Sequence, residues 1–139
     1  MNRATPKLRR LAQRLLALEA AADTTADAHA PPVFRVCETL RRSLSRLVGV
    51  AGFRSLLSRA LAAVSDEVRW LKAVHITADG SLEGLGEVEG QLSQAEMTQG
   101  ELLLIAQLIG LLVTFIGETL TMHLVQEAWP ELPSGDLDF

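Results

Sequence analysis

The feature that most constrains this chain is an apolar run within the stretch Glu101–Trp129. Sixteen residues from Leu102 to Gly117 carry no charge, and only Gln107 and Thr114 among them are polar. Their apolar side chains point in every direction around a 3.6-residue period, so a helix formed by them must be buried, in protein or in lipid. We therefore predict a mainly α fold, a small helical bundle around a buried apolar C-terminal helix (101–129).

The length of this run favours burial in protein over burial in lipid. Sixteen helical residues span roughly 24 Å, whereas the hydrocarbon core of a bilayer is about 30 Å thick. Extension to Val125 reaches that length but includes Glu118 and His123, and an acidic side chain in mid-span costs about 2–3 kcal/mol. The alternative is a membrane-active protein that inserts its apolar helix 102–125.

Charge is divided sharply along the chain. All thirteen Lys and Arg residues lie in residues 1–72 with six acidic residues, a net charge of +7, whereas residues 73–139 carry eleven acidic residues and no cation, a net charge of −11. The two halves can attract each other within one fold, between copies, or through an acidic partner. Nucleic acid is not an expected partner, because the chain as a whole is acidic and no aromatic residues interleave with its arginines.

The chain divides into four segments. Residues 1–22 form a predicted amphipathic basic helix, and residues 23–32 read as a linker because they lack apolar periodicity and end in two prolines. Residues 33–130 form the predicted helical core domain, and residues 131–139 form a short acidic tail.

A row of leucines lines one face of the first helix at spacings of three and four: Leu8, Leu11, Leu15 and Leu18. This spacing predicts a helix docked on the core, with a partner-binding helix and a membrane-surface helix as alternatives.

Two further helices follow the linker. The first has an apolar face from Val33 to Val48 that includes Leu47, and Gly49 and Gly52 mark a break. The second helix has an apolar face from Phe53 to Val64. A short helix is predicted after Ser65, and alternation around Val74–Thr77 before Asp79-Gly80 predicts one β-hairpin near 73–85.

Small residues recur every fourth position in the apolar run, at Ala106, Gly110 and Thr114, and Glu118 continues the row. This row predicts close packing against a helix of the same chain, with a dimer contact through Gly110, Thr114 and Glu118 as the alternative. Glu118 is expected at the core edge or, as we favour, buried beside an arginine of the basic half.

No residue pattern indicates an enzyme, a cofactor, a metal or a small-molecule substrate. The calcium-like loop that begins at Asp79 has Gly90 where a bidentate glutamate is needed. His123 and Glu127 alone cannot hold a metal, and the single cysteine, Cys37, lies on an apolar face as a packed thiol. One cysteine also excludes an intrachain disulfide and fits a cytoplasmic protein.

The last four residues, Asp136-Leu137-Asp138-Phe139, resemble the acidic, Phe-terminated tail of bacterial single-stranded DNA-binding proteins. The alternation of acidic and apolar residues in the tail is compatible with a docking peptide, but the default expectation is a frayed chain terminus. The composition as a whole resembles that of small bacterial helical proteins, which implies no activity. We expect a non-enzymatic regulatory, adaptor or scaffold subunit that acts through protein–protein contacts or self-association.

Overall fold

The computed structural model describes residues 5–21, 32–84 and 90–132. Four α-helices contain most of these residues: α1 (Pro6–Ala21), α2 (Pro32–Ser65), α3 (Gln94–Ile116) and α4 (Glu118–Ala128). A 3₁₀ helix (Arg69–Ala73) and a two-stranded antiparallel hairpin, β1 (His75–Ile76) and β2 (Leu82–Glu83), lie between α2 and α3. The prediction of a mainly α fold with one short hairpin is confirmed.

The core is built around α3, which contacts α1, α2 and α4. Every residue from Leu103 to Leu112 is buried, so this part of the helix is enclosed on all sides. Burial of one Leu or Ile side chain contributes about 1.5–3 kcal/mol. A capping box starts the helix, because Ser93 Oγ accepts from the Glu96 amide at 3.2 Å and Glu96 Oε1 accepts from the Ser93 amide at 3.0 Å.

The apolar stretch 101–129 is two helices and not one. Gly117 has φ 92° and ψ 157°, which ends α3 and starts α4 in a new direction. Because the helix breaks at Gly117, Glu118 does not continue the row of Ala106, Gly110 and Thr114 along one helix face. It lies exposed in the first turn of α4. The expectation of a buried ion pair at Glu118 is therefore wrong. Its carboxylate instead lies near the positive end of the α4 dipole.

A sharp bend at Gly49 (φ 78°, ψ 165°) divides α2 into two arms, as the glycine in the sequence predicted. The hairpin turn sits inside the bend, because a Cβ at Gly80 would lie 3.3 Å from both Arg41 Cδ and Phe53 Cδ2, one on each arm. The hairpin is tied to the first arm by the Ser81 hydroxyl, which donates to Glu38 Oε2 at 2.8 Å.

Polar contacts hold the C-terminal end of α1 against the start of α2 and the end of α4. The indole Nε1 of Trp129 donates to Glu19 Oε2 at 2.9 Å, and Arg35 Nη1 donates to the Glu19 carbonyl at 2.9 Å. That carbonyl lies in the last turn of α1, where helical carbonyls lack intrahelical partners. The two bonds place three chain segments at one end of the bundle.

Both ends of α2 lie near the start of α3. Trp70 lies in the 3₁₀ helix just after α2, and a Cβ at Gly100 would lie 2.3 Å from Trp70 Cζ2. Pro32, at the other end of α2, lines a cleft together with Gln94 of α3. The bend at Gly49, between these two ends of α2, is therefore directed towards the end of α3. The bend in α2 and the α3–α4 break consequently lie at the same end of the molecule.

Gly100 makes this packing possible, and its replacement tests it. We predict that Gly100→Val lowers the free energy of unfolding by about 2 kcal/mol, because the added atoms overlap the buried face of Trp70. Thermal and urea unfolding followed by circular dichroism measures the change.

Gly90 is the matched control for this substitution, because a Cβ there would meet nothing within 4 Å. Gly90→Val should change stability by less than about 0.5 kcal/mol. Equal stabilities of the two variants would contradict the Trp70–Gly100 contact.

Candidate interaction surface at the bends of the bundle

Four large hydrophobic side chains of the described residues are exposed, and they flank the two helix breaks. Leu47 is 51 % exposed and Val50 42 % exposed beside Gly49, and Phe115 is 61 % exposed and Leu120 39 % exposed beside Gly117. We call these four residues the apical patch. Scattered surface leucines are common in soluble proteins, whereas exposed hydrophobic side chains grouped at one end of a molecule favour a contact surface.

The geometry of the bundle brings the two halves of the patch to one end. Gly49 and Gly117 lie at the same end because both ends of α2 lie near the start of α3, so that the bend in α2 is directed towards the end of α3. Neither glycine has any atom within 4 Å of a Cβ built on it, so both breaks open to the outside. The chain thus turns twice at this end without covering the hydrophobic side chains next to the turns.

The patch has a charge of opposite sign on each side. Arg46 precedes Leu47 and is exposed on the first arm of α2, and Glu118 follows Gly117 and is exposed on α4. Thr114 is exposed next to Phe115, and its hydroxyl donates to the Gly110 carbonyl at 3.0 Å. The α2 side of the patch is therefore basic, and the α3–α4 side is acidic.

Most of the interaction residues predicted from the sequence lie inside the bundle. Leu8, Leu11 and Leu15 are buried in the shared core, and Leu18 is partly buried against it. Gly110 is buried in α3. The leucine row thus docks α1 on its own chain, and only Thr114 and Glu118 of the predicted set are exposed. Both lie beside the apical patch.

The apical patch contradicts two expectations from the sequence. Leu47 belongs to the apolar face predicted for 33–48, but the bend at Gly49 turns that end of the face outward. Phe115 belongs to the run expected to be buried all round, but the break at Gly117 removes the helix that would cover it. The sequence signal that could have located the patch is a glycine beside a large hydrophobic residue at a helix end.

Among the described residues, Glu101 is a buried carboxylate that the sequence did not single out. Glu101 is 6 % exposed and lines a cleft of about 410 Å³ between α1 and α3. The other lining residues are mainly apolar or amide side chains, among them Leu16, Met97 and Gln94. One acid in such a cleft supplies neither a nucleophile nor a second acid–base group for catalysis.

The other residues considered as candidate sites in the sequence lie on α4 and at the hairpin turn. His123 and Glu127 are both exposed on α4, and no three His, Cys, Asp or Glu side chains gather into a metal-binding group within residues 5–21, 32–84 and 90–132. In the calcium-like loop, the Asp79 carboxylate accepts a hydrogen bond from the Thr77 hydroxyl, which lowers the pKa of Asp79. Residues 85–89 of that loop, the linker residues 22–31 and the tail residues 133–139 lie outside the described residues.

Cys37 is packed inside the core, and burial raises the pKa of its thiol to about 12. The neutral thiol therefore predominates at pH 8, and the thiolate is the form that attacks disulfide reagents. We predict that Ellman's reagent labels the native protein at pH 8 at least about a thousandfold more slowly than the unfolded chain, because labelling requires opening of the core.

The labelling rate is measured by absorbance, with the chain in guanidinium chloride as the control that should release one equivalent. Rapid full labelling of the native protein would contradict the packed position of Cys37.

Two helices in the described part of the chain are long and apolar enough to cross a membrane by length and composition: α2 and α3. In α3, 67 % of the most apolar window is buried within the fold, against 28 % in α2. Most of the apolar surface of α3 is thus buried against other parts of the same chain.

Comparison of the chain with protein-family models, curated proteins and solved structures gave no match.

Proposed function

We propose that this protein is a small, non-enzymatic, cytoplasmic regulatory, adaptor or scaffold subunit that acts through protein–protein contacts, including contacts between its own copies. The observation that carries this proposal is the apical patch, where the four exposed large hydrophobic side chains of the described residues flank the two helix breaks. A stable bundle with one exposed apolar end is suited to holding another protein surface.

The packing of α1 supports a contact at the apical patch over one at the leucine row. The leucine row is part of the core, so a partner could reach it only after α1 has left the bundle. The apical patch needs no such rearrangement, because its side chains are exposed in the folded protein. Binding of a preformed surface avoids the free-energy cost of ordering a segment at the moment of binding.

The charge distribution supports the same proposal. The patch is bordered by Arg46 on one side and Glu118 on the other, both exposed. Complementary charges around an apolar centre orient two proteins and suppress wrong pairings. The border of the patch therefore favours a partner with both signs of charge.

The second candidate function is membrane insertion. The observation in its favour is that α2 and α3 are long and apolar enough to cross a membrane. Insertion of residues 102–125 would require the bundle to open, because residues 103–112 are buried against other helices. It would also require Gly117 and Glu118 to enter the lipid, where an acidic side chain is costly.

Self-association tests the proposed function. We predict that the full chain sediments as a dimer or larger species at micromolar concentration, and that Phe115→Glu shifts it towards monomer by placing a charge in the apolar centre of the contact. The fold of the variant should be retained, since Phe115 is 61 % exposed. Sedimentation velocity over a concentration series measures the shift.

Ala63→Glu is the matched control, because Ala63 is exposed on the second arm of α2, away from the patch. It should leave association unchanged. A wild-type chain that stays monomeric and is captured by anionic phospholipid vesicles in a flotation assay would contradict the proposal and support the membrane-active alternative.

A further inference from the structure

The two halves of the apical patch complement each other. The α2 half carries Leu47 and Val50 with Arg46 at its border, and the α3–α4 half carries Phe115 and Leu120 with Glu118 at its border. Each half is apolar, and the border charges have opposite signs. A surface of this kind is complementary to itself when it is rotated by 180°.

From this arrangement we infer that a second copy of the chain covers the apical patch, in a twofold dimer that pairs Arg46 of each copy with Glu118 of the other. The inference rests on the proposed function and names its partner. In a twofold contact, if residue i meets residue j, then residue j also meets residue i. Leu47 and Val50 of one copy therefore lie against Phe115 and Leu120 of the other, and the charge pair occurs twice.

The distribution of charge along the chain supports a second copy as the occupant. Residues 1–72 carry a net charge of +7, and residues 73–139 carry −11. A twofold axis through the middle of the patch sets α2 of each copy, from the basic half, over the α3–α4 junction of the other, from the acidic half. Opposite charges then face each other on both sides of the axis. This favours the pairing of α2 with the α3–α4 junction over a pairing of α2 with α2.

An anionic lipid surface fits the patch less well than a second copy does. Glu118 directly follows the break between Phe115 and Leu120, so insertion of these side chains would bring a carboxylate to the headgroups. Thr114 and Thr119, both exposed, add further polar groups at the same level. In a protein interface these groups lie at the polar rim that surrounds an apolar centre.

A dimer contact at this end extends beyond the four residues of the apical patch. A stable interface buries about 800 Å² on each partner, which is more than the apical patch provides alone. The exposed residues around it supply the rim: Arg46, Gly49, Ala51, Thr114, Glu118 and Thr119. Gly49 and Gly117 have no neighbouring atoms within 4 Å of a Cβ, so a second backbone can approach closely at both.

Charge exchange across the dimer tests the inference. The dimer dissociation constant of the full chain is measured by sedimentation equilibrium for wild type, Arg46→Glu, Glu118→Arg and the double variant. We expect each single reversal to weaken association about tenfold, because the twofold axis repeats the repulsion. The double variant should return to within about threefold of wild type, since it restores opposite charges across the contact.

The controls separate the pairing from general effects of charge. Arg59→Glu reverses an exposed charge on the second arm of α2 and should leave the dissociation constant unchanged. Glu118→Gln removes the charge without placing a cation at the start of α4, and it should weaken association less than Glu118→Arg does. Circular dichroism and thermal melts confirm that each variant is folded.

The outcomes distinguish this inference from the proposed function. If both single variants have the dissociation constant of the wild-type dimer, or if the weakening in the double variant is the sum of the two single effects, the Arg46–Glu118 pairing is overturned. Self-association of the wild-type chain would still stand. A monomeric wild-type chain would overturn the dimer, and its capture by anionic vesicles would overturn the proposed function as well. Capture of that monomer by anionic vesicles would assign the apical patch to a lipid surface.

Discussion

The rest of the structure depends on the burial of one helix that is apolar on all sides. From Leu103 to Leu112, α3 has no polar face to turn to water, and it is enclosed by α1, α2 and α4. The bend in α2 lets one long helix pass along the core twice. The leucine row of α1 closes another side. Because each neighbouring helix contributes an apolar face, this chain of 139 residues buries the apolar surface of α3, which by its composition would also suit a membrane.

Two glycines with positive φ define where this burial stops. Gly49 and Gly117 each turn the chain back at the same end of the bundle, and hydrophobic side chains next to each turn stay exposed. The opposite end is closed by polar and aromatic contacts: Trp129 bonds to Glu19, and Trp70 packs on Gly100. One end of the molecule is thus covered by side-chain contacts, and the other exposes hydrophobic side chains. This difference is the physical basis of the proposed contact between copies.

The sequence predicted the elements of the fold better than it predicted the surface. Periodicity located the helices, Gly49 marked the bend, Asp79-Gly80 marked the hairpin, and Ser93 with Glu96 marked the start of α3. Burial at helix ends could not be predicted, because it depends on which neighbour covers each turn. Phe115 looks like core in the sequence and is exposed, whereas Glu101 looks like surface and is buried.

The central claim is that residues 103–112 of α3 are buried against other helices of the same chain. Amide hydrogen exchange of the full chain in aqueous buffer, with and without phospholipid vesicles, tests it directly. The structure predicts that amides of residues 103–112 exchange more slowly than those at the α3–α4 break, and that vesicles leave their rates unchanged. Rapid exchange of residues 103–112 in buffer, with protection appearing only when vesicles are added, would contradict the claim.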